Sequence, residues 1–309
     1  MKKEKNTGKV IVFTNLKGGV GKTSDTDIIS LVSSQLFNKK VLLIDVDMQA
    51  NSTQNMSRTF EIRKYPQSFI KAVQNNNLFN AIVHLSPTLD FIAGSSSAHD
   101  LNDWILDHSN NRKERYLFFK SMIEPLKNEY DYIFFDVAPS TDNTVDAIMM
   151  CTDYIVAVQE VKRFSMDGTE MLINDYLSPM LNAFPNEANF QVAGILPAIL
   201  QSRRKQQIEN YYETINHFGR ENVFNTIIKH HDRIEGWGET GIALKQVADV
   251  KIWALFADLF CELEKRIEKF EKTGDITNFT YTPRYYDEMN NELLPLGKEI
   301  QRNGIIKEG

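Results

Sequence analysis

The sequence predicts a single doubly wound α/β domain, a mostly parallel sheet with helices on both faces. Three observations predict it. Short apolar, β-branched runs alternate with amphipathic stretches; a glycine-rich loop joins the first run to a helix; and two later runs end in acidic residues. Near-continuous apolar strands separated by helices belong to a parallel sheet buried on both sides.

In chain order, strands are expected at 10–14, 41–46, 90–93, 132–137, 154–158, 192–196 and 223–228. Amphipathic helices are expected at 115–126, 167–181 and 205–218. A further helix spans 252–270, where Ile252, Leu255, Phe256, Leu259, Leu263, Ile267 and Phe270 keep a helical period. After Lys272 the composition turns polar, with Gly274, Pro283, Pro295 and Gly297. The chain is therefore read as a domain over 1–272 and a polar tail over 273–309 with little core of its own. No repeat or low-complexity block interrupts this order.

Bulk properties narrow the function classes. The 309 residues are 42% hydrophobic and 25% charged, with a net charge of −6. A chain so balanced is not coated in basic charge, and any contact with nucleic acid must come from a local patch. Cys151 and Cys261 lie far apart in apolar surroundings and read as buried small hydrophobes, which fits a reducing cytoplasm. The N-terminus leads into a β-like run rather than a secretory apolar segment, and no stretch approaches the roughly 18 apolar residues that cross a bilayer. A soluble cytoplasmic protein without a membrane partner is expected.

The chemistry concentrates in Lys17-Gly18-Gly19-Val20-Gly21-Lys22-Thr23-Ser24. Glycines are needed where backbone N–H groups curl around phosphate oxygens, and the following helix adds partial positive charge at its N-terminus. Lys22 is placed to reach the β- and γ-phosphates of ATP, and the Thr23 hydroxyl to coordinate Mg²⁺. The bland alternative is a glycine-rich turn, which does not require Lys-Thr at this offset. Two carboxylate segments end later strands, with Asp45 and Asp47 in one and Asp136 in the other. The carboxyl ends of parallel strands share one rim, so these acids are expected beside the loop, where hard oxygen ligands suit Mg²⁺. Capping of the following helices is the alternative role for such acids.

Leu16 stands where the common phosphate loop has its first glycine, and a second lysine, Lys17, precedes the glycines. On these residues the chain resembles the deviant P-loop ATPases, the family of the ParA partition and MinD cell-division proteins. The resemblance extends over roughly 9–250, through Tyr130-Asp131-Tyr132-Ile133 before Asp136 and through Gly194-Ile195-Leu196-Pro197. It implies an ATPase that sandwiches two ATP molecules in a homodimer, with Lys17 acting across the interface. It further implies metal binding by Asp136, with Asp45 as its neighbour, activation of the attacking water by Asp47, and an adenine contact at Pro197. It also implies ATP-gated binding of non-specific DNA on the nucleoid and a centromere-binding ParB-type partner that stimulates hydrolysis. For DNA the candidates are Arg203, Arg204, Lys205, Lys229, Arg233, Lys245 and Lys251.

Some positions depart from the family pattern. Met48 and Ala50 replace a proline and a glycine, and Ser24-Asp25-Thr26-Asp27 replaces a run of threonines followed by Asn-Leu-Ala. Two acids in the first helical turn suit the helix dipole but crowd the phosphates. Other members of the superfamily offer other readings. A MinD-like membrane helix at 252–270 is opposed by Asp258, Glu262, Glu264, Glu268 and Glu271. A tyrosine kinase would use Tyr281, Tyr285 and Tyr286, and an iron–sulfur reductase would need cysteines at the dimer face. A nucleotide-gated repressor is the remaining alternative.

Overall fold

The structure, a computed structural model, describes residues 7–162, 165–200, 205–229, 231–244, 246–288 and 290–303, with backbone alone at 99, 200 and 303. Eight strands form the main sheet. They are β1 (Lys9–Thr14), β2 (Val41–Asp45), β3 (Ile82–His84), β4 (Leu89–Ile92), β5 (Tyr132–Asp136), β6 (Tyr154–Glu160), β7 (Gln191–Leu200) and β8 (Ile228–Lys229). Their spatial order is β3-β4-β2-β5-β1-β6-β7-β8, and every pairing is parallel except β3 with β4. Chain order and spatial order cross at β1, so loops on both sides of it open toward the same rim.

The first half carries helices α1 (Lys22–Gln35), α2 (Asn51–Thr59), α3 (Phe69–Gln74) and α4 (Asp100–Asp107). Then come the short α5 (Arg112–Tyr116) and α6 (Lys120–Ile123), followed by α7 (Asn143–Met149). Next, α8 (Ser165–Glu170) runs through a π-helical stretch, Met171–Leu177, into α9 (Ser178–Ala183). The second half adds α10 (Lys205–Phe218), α11 (Asp232–Thr240) and α12 (Val247–Thr273). Strand side chains alternate between two apolar layers. Ile11 and Phe13 join the layer that contains α1 and α12, and Val10 and Val12 the layer that contains α3 and α7. Both layers are fully buried, which is why the strands read as unbroken apolar runs.

The predicted doubly wound sheet is the observed one, with local differences. Helix 115–126 is three pieces, α5, α6 and a single turn at Leu126–Asn128, and Pro125 offers no N–H to carry α6 into that last turn. Strand β3 escaped the pattern because it is only three residues long. The expected strand 223–228 shrinks to a bridge between Val223 and Ile195 and the two residues of β8. The intervening N–H groups of Asn225 and Thr226 donate instead to the Glu262 carboxylate, at 2.8 and 2.9 Å. Glu262 is fully buried beside Arg266, which also donates to the carbonyls of Ala193, Glu221 and Val223. Gly194 leaves room for that guanidinium, because a Cβ there would lie 2.7 Å from it. Removing one partner of so buried a pair costs about 3–5 kcal/mol.

The segment after α12 folds back on it. It forms a two-stranded ribbon, β9 (Tyr286–Asp287) and β10 (Glu292–Leu293), and a last helix, α13 (Pro295–Asn303). Tyr286, Leu293 and Ile300 enter the core layer of α12, and Ile276, Phe279 and Tyr281 pack on Cys261 and Phe270. The Asp258 carboxylate receives the Tyr281 hydroxyl at 2.7 Å and the N–H groups of Arg284, Tyr285 and Tyr286 at 2.7, 3.0 and 2.8 Å. Thus Asp258 and Glu262 of α12 face inward. Among the described residues no helix is long and apolar enough to cross a membrane.

Candidate active site

The loop between β1 and α1 turns through Gly19 and Gly21, whose φ angles of 73° and 99° favour glycine. Val20 between them is buried in the core and anchors the loop, leaving Gly18 and Gly19 exposed. Lys22 opens α1 and folds back, its Nζ donating to the Lys17 carbonyl at 2.9 Å, where the β- and γ-phosphates would lie. Burial lowers the pKa of this ammonium, with Asp136 and Asp47 opposing the shift. Lys17 points elsewhere. Its Nζ sits 3.0 Å from Glu160 at the end of β6, and Glu160 also receives Lys162. Burial alone would raise the Glu160 carboxyl, but the hydrogen bonds of Lys162 and Lys17 hold it below its ordinary value.

On the next strand outward, Asp136 accepts from the Thr23 hydroxyl at 3.1 Å. Its second oxygen is buried and has no protein partner among the described residues. Burial pushes the Asp136 carboxyl well up, and the negative charges of Asp45 and Asp27 add to the shift. A divalent cation fits these residues, since it would neutralise the crowded acids and take up the orphaned oxygen. No three carboxylate, imidazole or thiolate groups converge on one point among the described residues. Thr23 and Asp136 would hold Mg²⁺ only with further oxygen ligands from phosphate and water.

Asp45 is placed differently from its expected metal partners. Its Oδ1 accepts the Asp47 N–H at 3.1 Å, and its Oδ2 accepts the Thr53 N–H and hydroxyl at 2.8 and 2.6 Å. Burial pushes it to about 7, with the Thr53 bonds opposing. One oxygen thus holds the turn at Asp47 and the other the first turn of α2. The Asp47 carboxylate lines the cleft, with Oδ1 receiving Gln49 N–H at 2.9 Å, and Ala50 completes the turn in the left-handed region at φ 50°. Met48 is exposed at the rim.

These residues border a cleft of about 370 Å³. Its floor is the loop from Gly18 to Asp25, and its far wall comes from Ile199, Ile228, His231 and Ile234. Pro197 was expected there, yet it sits within β7 opposite Gln159. Its successors Ala198 and Ile199 reach the cleft, because a register shift turns Ile199 to φ 56°. The α11 side of the cleft went unrecognised in the sequence, since Gly236 and Gly238 depress the helical signal. Tertiary contacts build it: Trp237 is buried, and Arg58 donates to the Gly238 carbonyl. The two unusual acids of α1 are both buried. Asp25 lines the cleft with one oxygen unpartnered among the described residues, and burial pushes it well up. Asp27 accepts the Ser52 hydroxyl and the Asn55 amide, the latter at 2.7 Å, and burial pushes it to about 7 against those bonds.

The expected DNA contacts are scattered. Arg203, Arg204 and Lys245 lie outside the described residues. Lys205 is exposed, 3.7 Å from Glu209. Lys229 lines the cleft and donates to the Glu288 carbonyl, Arg233 grips Asp249 with two nitrogens, and Lys251 donates to the Asn291 carbonyl at 2.9 Å.

A parallel sheet with this loop, its Lys22 and Thr23, and an acid on the adjacent strand defines a P-loop nucleotide-binding protein. A sequence model of the AAA domain family matches residues 8–182, more than half of the chain. The chain belongs to that family and is a ParA-type member of the deviant P-loop ATPases. It is 29% identical over 223 residues to the chromosome-partitioning ATPase Soj of Treponema pallidum, covering 72% of this chain and 83% of Soj. It is 25% identical over 236 residues to the sporulation initiation inhibitor protein Soj of Bacillus subtilis, covering 74% of this chain and 86% of the relative. Among solved structures, the McdA–ATP complex of Cyanothece superposes with a TM-score of 0.66 at 16% identity, covering 89% of this chain and all of McdA.

Proposed function

We propose that this protein is an ATP-driven partition switch that separates DNA cargo or positions it along the nucleoid in the cytoplasm. The observation that carries the reading is the division of labour between the two lysines. Lys22 folds over the site of its own phosphates, while Lys17 leaves that site and projects at the rim. In an ATP-bound homodimer Lys17 would release Glu160 and meet the nucleotide of the partner subunit. Lys17 is more than half exposed, and the buried Glu160 carboxylate keeps Lys162 when Lys17 leaves, so the exchange strands no buried charge. Thr23 and Asp136 would hold Mg²⁺, which would neutralise charge on the phosphates. Asp47 orients the attacking water, and Lys22 stabilises the transferring phosphoryl group. With one base and little else to activate water, unstimulated turnover is slow, and a centromere-binding ParB-type protein raises it. The Soj relatives support the cargo class, and the ATP complex of McdA supports the ligand.

Non-specific DNA would meet Lys205 at the start of α10 and its sequence neighbours Arg203 and Arg204, which lie outside the described residues, since Lys229, Arg233 and Lys251 are engaged within the protein. Filter binding with ATP should show affinity for any duplex, falling steeply with salt. The triple variant Arg203→Ala/Arg204→Ala/Lys205→Ala should flatten the logarithmic salt slope by about 3. Binding that ignores nucleotide and salt would refute this surface.

A further inference from the structure

We propose that Asp27 is a positioning residue that fastens α2 to α1 and so fixes the switch segment 45–53, including Asp47, against the phosphate loop. The inference rests on the reading of Asp47 as the residue that orients water. Asp27 lies one helical turn after Thr23, so the two share a face of α1. Thr23 reaches Asp136 from that face, and Asp27 reaches α2. Its two oxygens are divided between two donors, the hydroxyl of Ser52 and the amide of Asn55, and all of the Asp27 side chain is buried.

The first turn of α2 is consequently held from two sides. From α1, Asp27 takes Ser52 and Asn55. From β2, Asp45 takes Thr53, whose hydroxyl in turn receives the Gly94 N–H at 2.8 Å. Asp47 hangs between these anchors, its N–H on Asp45 and its carboxylate on the N–H of Gln49. A shift of α2 would move Asp47 by the same amount, and displacements near 1 Å at a reacting centre cost about 100-fold in rate. Asp27 accepts from both groups at once, and removing its carboxylate would leave the Ser52 hydroxyl and the Asn55 amide without their acceptor.

A reciprocal exchange separates positioning from mere packing. Asp27→Ala removes both acceptors, Asn55→Asp sets two carboxylates face to face, and the double variant Asp27→Asn/Asn55→Asp restores a carboxylate opposite an amide. Two readouts are measured on the full chain: ATP turnover with equilibrium binding of an ATP analogue, and hydrogen exchange of the backbone amides of 46–55. Each single variant should lower kcat by about tenfold or more with analogue affinity nearly unchanged, and should speed exchange of 46–55 while the central strands keep their protection. The double variant should recover both. Single variants with wild-type exchange of 46–55 would overturn the inference. So would parallel loss of binding, turnover and strand protection that the double variant fails to restore. If the wild type itself turns over no ATP, the proposed function fails, and the exchange of 46–55 alone decides the role of Asp27.

Discussion

Lys17 and Lys22 are five residues apart and chemically alike, yet the loop sends them to opposite duties. Lys22 is buried, bonded to the backbone of its own loop, and faces Asp136 and Asp47. Lys17 rests on Glu160, a buried carboxylate that keeps Lys162 when the exposed Lys17 leaves it for a phosphate. Lys17→Ala should therefore leave binding of an ATP analogue to the monomer within about fivefold of wild type, because Lys22 and the loop backbone hold the phosphates and Glu160 keeps Lys162. It should abolish ATP-dependent dimerisation measured by light scattering. A dimer forming at the wild-type concentration would assign Lys17 to the surface instead. Much of this site was legible in the sequence because phosphate binding is local: loop, glycines, lysine and threonine are contiguous. The duties of Asp45 and Asp27 were not legible, since their partners Thr53, Ser52 and Asn55 are set by the tertiary placement of α2.

At the scale of elements, α12 does two jobs. One face closes the core over α1, with Trp253, Phe256 and Phe260 buried. Another presents two inward carboxylates, Glu262 to the loop before β8 and Asp258 to the returning tail. The helical period of 252–270 revealed the helix but not these roles, because a buried acid and a solvated acid look alike until the donors around them are known. Four donors converge on Asp258, three of them backbone N–H groups. Asp258→Ala would leave them without an acceptor at a destabilisation of about 2–4 kcal/mol. The expected outcome is a lower thermal midpoint together with faster limited proteolysis after Lys272. An unchanged midpoint and cleavage rate would show that apolar contacts alone hold the tail. The strands buried on both faces were legible for the opposite reason, since burial there demands continuous apolar sequence whatever the partners are.

At the scale of the whole molecule, topology gathers the chemistry. Loops after β1, β2 and β5 meet at one rim because these strands are parallel neighbours, and β7 with α11 closes the cleft from the other side. The monomer thus places a phosphate loop, a metal-compatible pair in Thr23 and Asp136, and Asp47 around one space, while Lys17 remains at its edge. In the proposed switch Lys22 would hold the nucleotide and Asp47 would orient the water that hydrolyses it. The most direct test is ATP turnover by the purified protein with and without non-specific DNA, alongside Lys22→Ala and Asp47→Ala. The account predicts slow turnover raised by DNA and lost in both variants, with Asp47→Ala still binding ATP and dimerising. Tight ATP binding without turnover under any condition, or an Asp47→Ala variant that hydrolyses at the wild-type rate, would contradict it.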